Sequence, residues 1–465
     1  MRRRDSAIHT TEVLKSHSLA DMNGHNGGLS IQVLGVCTGA GLQSLRCALL
    51  QYHQDGPNKP LRGELIRYSD IVIPSPKRLL IFNTLRDAQF KASSTPRFNI
   101  LLGHMFSDGI EEFCKQSSIS IQSIDLVGTH TPLALQRARN LSAEVSIVHP
   151  SGWNTIVAAE TGINTVFDFT IAENATVRSH LPPTAFFDKL VLRHPTKFRA
   201  CLNIGELATL SFIPPSGDAI PRSTMARECG PGSLLIDYAM RYCSSNVRVE
   251  DHDGKCAEPG QVNHDIVRRF LSAHDYERTQ PPLVIAREMF GDHEAQGLID
   301  ECLFENLSEA DTIATITRVT AQNTVNQFRK LLAKFFPQGQ TVDELFICGP
   351  SARNANIVDF LEAELPESVI TRPLEDIGIP GDANDSIAFA HLAFEAVLCQ
   401  ATQSAPPPAR TPHLQSIDSV RAMIIRGHSW DTILQKIQVF SEGQQLHVTH
   451  DVRIKEKSKS MASTG

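Results

Sequence analysis

The stretch Val33-Leu34-Gly35-Val36-Cys37-Thr38-Gly39-Ala40-Gly41-Leu42 joins one apolar run to a second, Leu45 to Leu50, through a turn with two glycines. A similar unit opens the second half of the chain, where Cys201-Leu202-Asn203-Ile204 leads through Gly205 and Glu206 into the run Leu207 to Phe212. Glycines let the backbone bend tightly and leave its N–H groups open to an anion. The repetition predicts two related lobes, each with a β-hairpin, that close on a phosphate-bearing ligand.

The remaining pattern predicts alternating strands and helices in both halves, which is typical of an α/β protein with mixed sheets. Ser308 is the predicted N-cap of a helix that reaches about Phe335, with Asp311 in the capping-box position. A last helix is predicted over Ile387 to Leu398. We expect a disordered N-terminal arm over 1–30, an N-terminal lobe over 31–185, a C-terminal lobe over 186–400, and a linker with a C-terminal tail over 401–465. The charged run Arg453 to Lys459 in that tail is predicted to be solvated.

Composition excludes several classes of protein. The chain has 465 residues, 41% of them hydrophobic, and a formal net charge of −7, which argues against a general nucleic-acid binder. It contains no run of about 18 apolar residues, and its basic start lacks the apolar core of a secretory signal. The ten cysteines form no CxxC pair and no cluster with metal-ligand spacing. We therefore expect free, buried thiols in a cytoplasmic protein without a membrane or nucleic-acid partner, and no protein-built metal site.

The order of motifs along the chain is more specific than any single motif. After the first hairpin come Gly128-Thr129-His130, Asp168, Asn203-Ile204-Gly205, Gly230-Pro231-Gly232, Arg287-Glu288, Gly349 with Arg353-Asn354, and Gly378-Ile379-Pro380-Gly381-Asp382. In this order, over roughly residues 31–400, the chain resembles the anhydro-N-acetylmuramic acid kinases of the actin/hexokinase-like superfamily. The resemblance implies a two-lobed ATPase fold with mixed sheets and a cleft between the lobes.

The resemblance also implies a reaction in amino sugar metabolism and the recycling of cell-wall sugars. Mg-ATP would phosphorylate the 6-position of 1,6-anhydro-N-acetylmuramic acid, or a related amino sugar, while water opens the anhydro ring. ATP and Mg²⁺ are the implied cofactors, and a homodimer is the implied assembly. The family's general base for the water corresponds to Asp168. A carboxylate is needed there because a weak nucleophile must lose a proton as it attacks. Without the resemblance, a structural role for Asp168, as a loop or N-cap aspartate at a strand end, is the favoured interpretation.

Binding residues follow from the same resemblance, position by position. The ATP-binding candidates are Thr38, Gly39, Gly41, Gln43, Asn203, Gly205, Gly349 and Arg353. The sugar-binding candidates are His130, Glu228, Gly230, Gly232, Arg287 and Glu288. A half-buried ring at a strand end is an equal alternative for His130, and a structural ion pair is an equal alternative for Arg287 and Glu288.

Several positions depart from the family pattern where phosphates are handled. Gln43 replaces an acidic residue, and Ala40 replaces a threonine. Glu206 replaces a glycine, and its carboxylate can face the phosphates and repel them. Pro350 removes an N–H donor from the adenosine loop, and Leu283 replaces a lysine on the sugar side. Phosphoryl transfer depends almost wholly on positioning and charge stabilisation. The alternative function is therefore a catalytically impaired pseudokinase that binds sugar, nucleotide or a protein partner.

Overall fold

Each glycine hairpin belongs to a sheet of its own in the computed structural model. The structure describes residues 28–39, 41–133, 135–138, 145–148, 151–172, 182–217, 224–274, 292–402, 419–442, 446 and 452–456. Both predicted hairpins are confirmed, because each apolar run pairs antiparallel with the run that follows its turn. The α/β class with mixed sheets is also confirmed.

The first sheet has seven strands among the described residues, in the order β13-β7-β4-β1-β2-β3-β14. Its strands are β1 (Leu29–Thr38), β2 (Ser44–Gln54), β3 (Leu61–Val72), β4 (Leu126–His130), β7 (Asn164–Ala172), β13 (Ser419–Ile425) and β14 (Val452–Glu456). A separate two-stranded pair consists of β5 (Leu135–Ala138) and β6 (Val145–Val148). The central strand β1 is parallel to β4, and β4 is parallel to β7, so the carboxyl ends of these three strands lie at one edge.

Within the described part of the chain, the second sheet has five strands in the order β10-β9-β8-β11-β12. They are β8 (Arg199–Ile204), β9 (Leu207–Ile213), β10 (Met225–Pro231), β11 (Glu344–Cys348) and β12 (Ile370–Pro373). Strand β8 is parallel to β11 and antiparallel to β9. Residues of β8 and β11 alternate between two apolar cores, so this sheet is covered on both faces, and such strands are expected to be near-continuous apolar runs.

Three groups of helices cover the sheets. One face of the first sheet packs on α1 (Ser75–Phe90), α2 (Thr95–Ser117) and α3 (Asn154–Thr161). Its other face shares a core with the second sheet and with α4 (Pro183–Leu192), α10 (Asn384–Thr402) and α11 (Trp430–Ser441). The outer face of the second sheet packs on α5 (Leu234–Cys243), α6 (His264–Ala273), α7 (Asp292–Phe304), α8 (Glu309–Phe335) and α9 (Ala355–Glu364).

Helix α10 approaches the first hairpin more closely than any side chain would allow. A Cβ atom on Gly35 would lie 1.8 Å from the Ser386 carbonyl oxygen, and one on Gly128 would lie 2.3 Å from the Phe389 carbonyl oxygen. The glycines of β1 and β4 are therefore required for the helix backbone to rest on the sheet. This contact also means that α10, which follows the second sheet in the sequence, packs on the first.

The long helix α8 begins as predicted. The Asp311 N–H donates to Ser308 Oγ at 3.1 Å, and the Ser308 N–H donates back to Asp311 Oδ2 at 3.4 Å. This reciprocal pair is the capping box that the sequence predicts. In the part of the chain that the structure describes, no helix has the length and apolar character needed to cross a membrane.

The C-terminal segment corrects two expectations. Helix α10 is not the last helix, because α11 follows it, and β13 and β14 occupy the two edges of the first sheet. The prediction that the charged run is solvated holds for Arg453, which is exposed, but not for Ile454, which lies in β14 beside β3 and is only 5% exposed. A strand can carry charges on one face while its alternate residue is buried, and so a charged run does not exclude a strand.

Candidate active site

The carboxyl ends of three neighbouring parallel strands bring the first group of candidate residues together. Thr38 ends β1 and His130 ends β4, and the register pairs Cys37 with His130. Gly128 pairs with Val166, so two residues further along Asp168 lies level with His130. Neighbouring strands lie about 4.8 Å apart, and ligands of α/β proteins bind at such carboxyl ends. Thr38, His130 and Asp168 therefore lie at the carboxyl ends of neighbouring strands along one edge of the sheet.

Asp168 has an unusual backbone for a strand residue. Its φ is +56°, and the pairing of β7 with β13 shifts register between Arg421 and Met423, opposite this point. The strand is thus bulged, which re-aims the side chain, and Asp168 is exposed although Phe167 and Phe169 beside it are buried. Left-handed backbone at a non-glycine residue is strained and is commonly found at functional sites.

Contacts within the protein fix the side chains of Thr38 and His130. The Thr38 hydroxyl donates to Thr131 Oγ1 at 3.0 Å in a buried contact. The His130 ring is half buried and stacks on Phe389 of α10, with ring centroids 4.3 Å apart and planes 16° from parallel. The stacking fixes the plane of the imidazole, which suits either reading of His130 from the sequence.

The first glycine turn, between β1 and β2, is closed by its own backbone. The Leu42 N–H donates to the Gly39 carbonyl at 3.2 Å, and the Ile73 N–H donates to the Gln43 carbonyl at 2.9 Å. The Gln43 side-chain oxygen accepts from Arg78 Nη1 of α1 at 3.0 Å. The one polar side chain that could replace the family's acidic residue in this turn is thereby engaged by a guanidinium.

The two glycine turns touch each other through one carboxylate. Both oxygens of Glu206, in the β8–β9 turn, accept the Gly41 N–H, at 2.7 Å and 2.8 Å. A Cβ atom on Gly39 would lie 2.8 Å from Glu206 Oε1, and one on Gly41 would lie 2.6 Å from the same oxygen. The glycines of the first turn therefore make room for an acidic side chain from the other sheet.

The Gly230-Pro231-Gly232 segment is fastened to the second turn and to α8. The Gly232 and Ser233 N–H groups donate to the carbonyls of Glu206 and Gly205, each at 2.8 Å. Thr320 Oγ1 donates to the Gly232 carbonyl at 2.7 Å, and Asn323 Nδ2 donates to the Cys229 carbonyl at 2.8 Å. Sequence reasoning missed Thr320 and Asn323. Polar residues at positions of α8 that otherwise face the core are the signal that could have found them, because buried polar groups need partners.

A second carboxyl lies close to the Glu206 charge. Asp237, in the first turn of α5, accepts from Ser233 Oγ at 2.8 Å. Desolvation, with a further contribution from the negative charge of Glu206, raises the pKa of Asp237 to about 8. Burial and the nearby Glu206 charge therefore both favour the neutral form of Asp237.

A network of polar side chains connects the ATP-binding candidate Asn203 to the first sheet. Asn203 Nδ2 donates to Asp385 Oδ1 at 2.6 Å, and Asp385 Oδ2 lies 3.1 Å from Arg46 Nη1 of β2. Gly349 has a φ of +93°, and a Cβ atom there would lie 2.4 Å from Asn203 Oδ1. Only glycine fits at 349, so this turn packs tightly on the end of β8.

Arg353 pairs with a different carboxylate from the one that binds Asn203 and Arg46. Its guanidinium donates to Asp382 Oδ2 at 2.8 Å and lines a pocket of about 310 Å³ together with Arg372 and Glu375. A larger cavity, about 540 Å³, lies between α4 and β14, and is lined by Val191, Ile379 and Ile454. Neither space is formed by the two glycine turns, whose tips are in contact.

The other sugar-side candidates are only partly placed. Glu228 is half buried in β10, next to a register shift between Glu228 and Gly230. Arg287 and Glu288 lie outside the described residues. Among the residues that are described, no three His, Cys, Asp or Glu side chains group in a way that could hold a metal ion.

Catalysis of phosphoryl transfer depends almost entirely on positioning and charge stabilisation, and the structure brings two glycine turns into contact and exposes the Asp168 carboxylate at a strand end of the first sheet. The family model for anhydro-N-acetylmuramic acid kinase matches residues 31–408. The chain therefore belongs to the anhydro-N-acetylmuramic acid kinase family, and β13, α11 and β14 lie beyond the matched range.

Curated relatives agree with this membership. The chain is 25% identical over 369 residues to the anhydro-N-acetylmuramic acid kinase of Caldanaerobacter subterraneus subsp. tengcongensis, with 78% of this chain and 90% of the relative covered. It is 27% identical over 373 residues to the enzyme of the same name from Salinibacter ruber, with the same coverage. Among solved structures, it is similar to the activator of the 2-hydroxyisocaproyl-CoA dehydratase from Clostridium difficile with bound ADPNP. That likeness has a TM-score of 0.39 and 12% identity over 82% of this chain and 100% of the other, and nothing about activity follows from it.

Proposed function

We propose that this protein uses Mg-ATP to phosphorylate the 6-position of 1,6-anhydro-N-acetylmuramic acid, with water opening the anhydro ring. The observation that carries the proposal is the exposed Asp168 carboxylate on a bulge, level with His130 at the carboxyl edge of three parallel strands. Family membership supports the kinase reaction, and the geometry of Asp168 supports its role as the base.

Asp168 would remove one proton from the attacking water. As the water oxygen bonds to C1 of the sugar, the C1–O6 bond breaks, and O6 forms the new bond to the γ-phosphorus while the bond to the β-phosphate oxygen breaks. The proton goes to the Asp168 carboxylate, and ADP leaves with the negative charge. A positioned base contributes about 10²–10⁴-fold to such a step.

The two glycine turns would hold the nucleotide phosphates, and His130, Glu228, Gly230 and Gly232 would face the sugar. Mg²⁺ would arrive bound to ATP as part of the substrate. The described side chains favour this reading over a protein-built ion site, because Gln43 is engaged by Arg78, and Asp385 is engaged by Arg46 and Asn203. Mg²⁺ in kinases is mainly held by phosphates and water.

The test is the release of ADP from Mg-ATP by the purified protein, with and without 1,6-anhydro-N-acetylmuramic acid. We expect sugar-dependent release that falls by about 10²-fold or more in Asp168→Asn. The matched control is Asp359→Asn, since Asp359 is exposed on α9 and remote in the sequence from both turns. Reaction in ¹⁸O-labelled water should place the label at C1 of the product. Unchanged turnover in Asp168→Asn would remove Asp168 from the mechanism.

A second candidate function is a module that binds sugar or nucleotide without turnover. The specific observation in its favour is the bond from Arg78 to Gln43, which puts a positive charge where the family has an acidic residue near the metal. Binding of the sugar measured by calorimetry, with no sugar-dependent ADP release under any Mg²⁺ concentration, would favour this function over the kinase.

A further inference from the structure

Two anions can accept a hydrogen bond from the Gly41 N–H, namely the Glu206 carboxylate and a nucleotide phosphate. In the first glycine turn this N–H is one of the groups that would face a nucleotide phosphate, and the Glu206 carboxylate accepts it with both oxygens, at 2.7 Å and 2.8 Å. A carboxylate on a backbone N–H forms a charge-assisted hydrogen bond, which is stronger than one between neutral groups. The position is therefore already occupied by an anion that belongs to the protein.

The contact is shaped around the carboxylate. Gly39 and Gly41 both lie so close to Glu206 that a Cβ atom on either would fall within 3 Å of its carboxylate oxygen. The backbone that carries Glu206 is held as well, because its carbonyl accepts from Gly232 at 2.8 Å and from Leu234 at 3.2 Å, at the N-terminus of α5. The carboxylate can leave the first turn only by rotation of its own side chain or by separation of the two turns.

The charge around the contact opposes a second anion. The negative charge of Glu206 is one of the causes that raise the pKa of Asp237 to about 8, and burial is the largest. A polyphosphate that entered beside an undisplaced Glu206 would meet like charge at short range, in a partly buried place where water screens it weakly. The carboxylate and a phosphate therefore exclude each other.

We propose that Glu206 is an internal competitor for the nucleotide phosphates and that it sets the nucleotide affinity of this cleft. The proposal rests on the proposed function in so far as the phosphates are those of ATP, but the competition itself applies to any oligophosphate. Because a ligand that binds only the open arrangement has its affinity reduced by the fraction of open molecules, Glu206 weakens binding without touching the ligand. It also fastens the turn of the first sheet to the turn of the second.

The experiment compares wild type, Glu206→Ala, Glu206→Gln and the control Glu367→Gln, whose side chain is exposed in a turn after α9. Alanine removes the carboxylate without the added backbone freedom of glycine, and glutamine keeps the size but loses the charge. The probes are inorganic tripolyphosphate and Mg-ADP in calorimetric titrations. We expect Kd values for both probes to fall by about tenfold or more in Glu206→Ala, to fall less in Glu206→Gln, and to stay unchanged in Glu367→Gln.

A measurement without ligand tests the contact itself. Hydrogen exchange at the Gly41 amide should be faster in Glu206→Ala than in wild type, since the amide loses its acceptor, and Glu206→Gln should fall between them. A structural role alone would lower the unfolding midpoint of Glu206→Ala and leave the two Kd values where they were.

The outcomes separate this proposal from the proposed function. If tripolyphosphate binds wild type and Glu206→Ala equally, the competition does not exist, whatever the activity of the enzyme. If tripolyphosphate binds more tightly to Glu206→Ala but no variant releases ADP in a sugar-dependent manner, the competition stands and the kinase function fails. Equal exchange rates at Gly41 in wild type and Glu206→Ala would overturn the proposal at its starting point.

Discussion

The two glycine hairpins are alike in the burial of their strands and differ in their turns. In β1, Val33, Leu34 and Val36 are fully buried, and in β8, Ala200, Leu202 and Ile204 are fully buried. The first turn has two glycines and a glutamine held by Arg78, whereas the second places an acidic side chain into the first. Buried strands tolerate little change because the fold depends on them, while half-exposed turns are free to alter what the cleft binds.

The hairpins also differ in what supports them. Backbone atoms of α10 lie directly on Gly35 of the first hairpin. The second hairpin is held through Cys229 and the Gly230-Pro231-Gly232 segment, because the buried side chains of α8 donate hydrogen bonds there, Asn323 to the Cys229 carbonyl and Thr320 to the Gly232 carbonyl. The first hairpin should therefore be sensitive to added volume, and the second should be sensitive to lost hydrogen bonds.

The largest effect is expected from Gly35→Ala. The new methyl group would fall 1.8 Å from the Ser386 carbonyl oxygen, and relief requires movement of α10 away from the sheet. We expect a loss of about 3 kcal/mol or more in the free energy of unfolding, measured by denaturant titration. Gly56→Ala is the control, since its Cβ would meet only Lys59 Cγ at 3.5 Å. Equal stability of the two variants would refute the close approach of α10.

The next largest effect is expected at Asp188, which connects strand β9 of the second hairpin to helix α10. Asp188 of α4 is buried and accepts from Ser211 Oγ of β9 at 3.0 Å and from Asn384 Nδ2 of α10 at 3.3 Å. Burial, assisted by the charge of Asp385, raises the pKa of Asp188 from 3.8 to about 7, although both hydrogen bonds oppose the shift. Between about pH 4 and 7 the folded state keeps a proton that the unfolded state releases, so this group makes stability fall as pH rises.

Asp188→Asn should remove that pH dependence, because the amide stays neutral and keeps the same shape. The measurement is the denaturant midpoint from pH 4.5 to pH 7.5 for wild type, Asp188→Asn and the exposed control Asp359→Asn. A wild-type curve that rises over this range after subtraction of the Asp188→Asn curve would show that Asp188 is ionised in the folded protein.

A smaller effect is expected from Asn323→Ala. Its loss leaves the Cys229 carbonyl without this donor at a buried position, which costs about 1–3 kcal/mol. Asn326→Ala on the same helix is the control, because Asn326 is half exposed and its side chain accepts from Gln322 at 3.3 Å. If the two variants unfold at the same denaturant concentration, the second hairpin does not depend on hydrogen bonds from α8.

The smallest effect is expected from Gln43→Asp, which restores an acidic residue to the first turn. The carboxylate would pair with Arg78 in a partly exposed place, so the change in stability should stay below about 1 kcal/mol and shrink with added salt. Denaturant titration at low and high salt measures it. A change of several kcal/mol would mean that the turn contributes to the fold as strongly as the strands do.

Much of the framework is predictable from local pattern. The apolar runs on either side of Gly39 and Gly205 predict both hairpins, and Ser308 with Asp311 predicts the start of α8. The order of motifs predicts the family. These features depend on residues close together in the sequence, where periodicity and capping rules apply.

The remaining features depend on contacts between distant residues. Glu206 and Gly41 are 165 positions apart, and Asn203 and Asp385 are 182 apart. Residues 419–456 have only modest apolar content, yet they supply both edge strands of the first sheet, because an edge strand needs only one buried face and an open partner. Neither the position of an acceptor nor that of an open edge is encoded in a local pattern.

The sequence by itself determined the two hairpins, the class of the fold, the family and the identity of the candidate base at Asp168. Apolar spacing and glycine positions suffice for the hairpins and the fold class, since hydrophobicity and backbone freedom are properties of individual residues. The family and the candidate base follow instead from the resemblance of the ordered motifs to known kinases. Only the tertiary structure decided that Asp168 is presented on a bulge beside β13, that α10 rests on Gly35, and that Glu206 occupies the Gly41 N–H. Each of these is a distance between groups far apart in the chain, and such distances exist only once the two sheets have packed around their shared core.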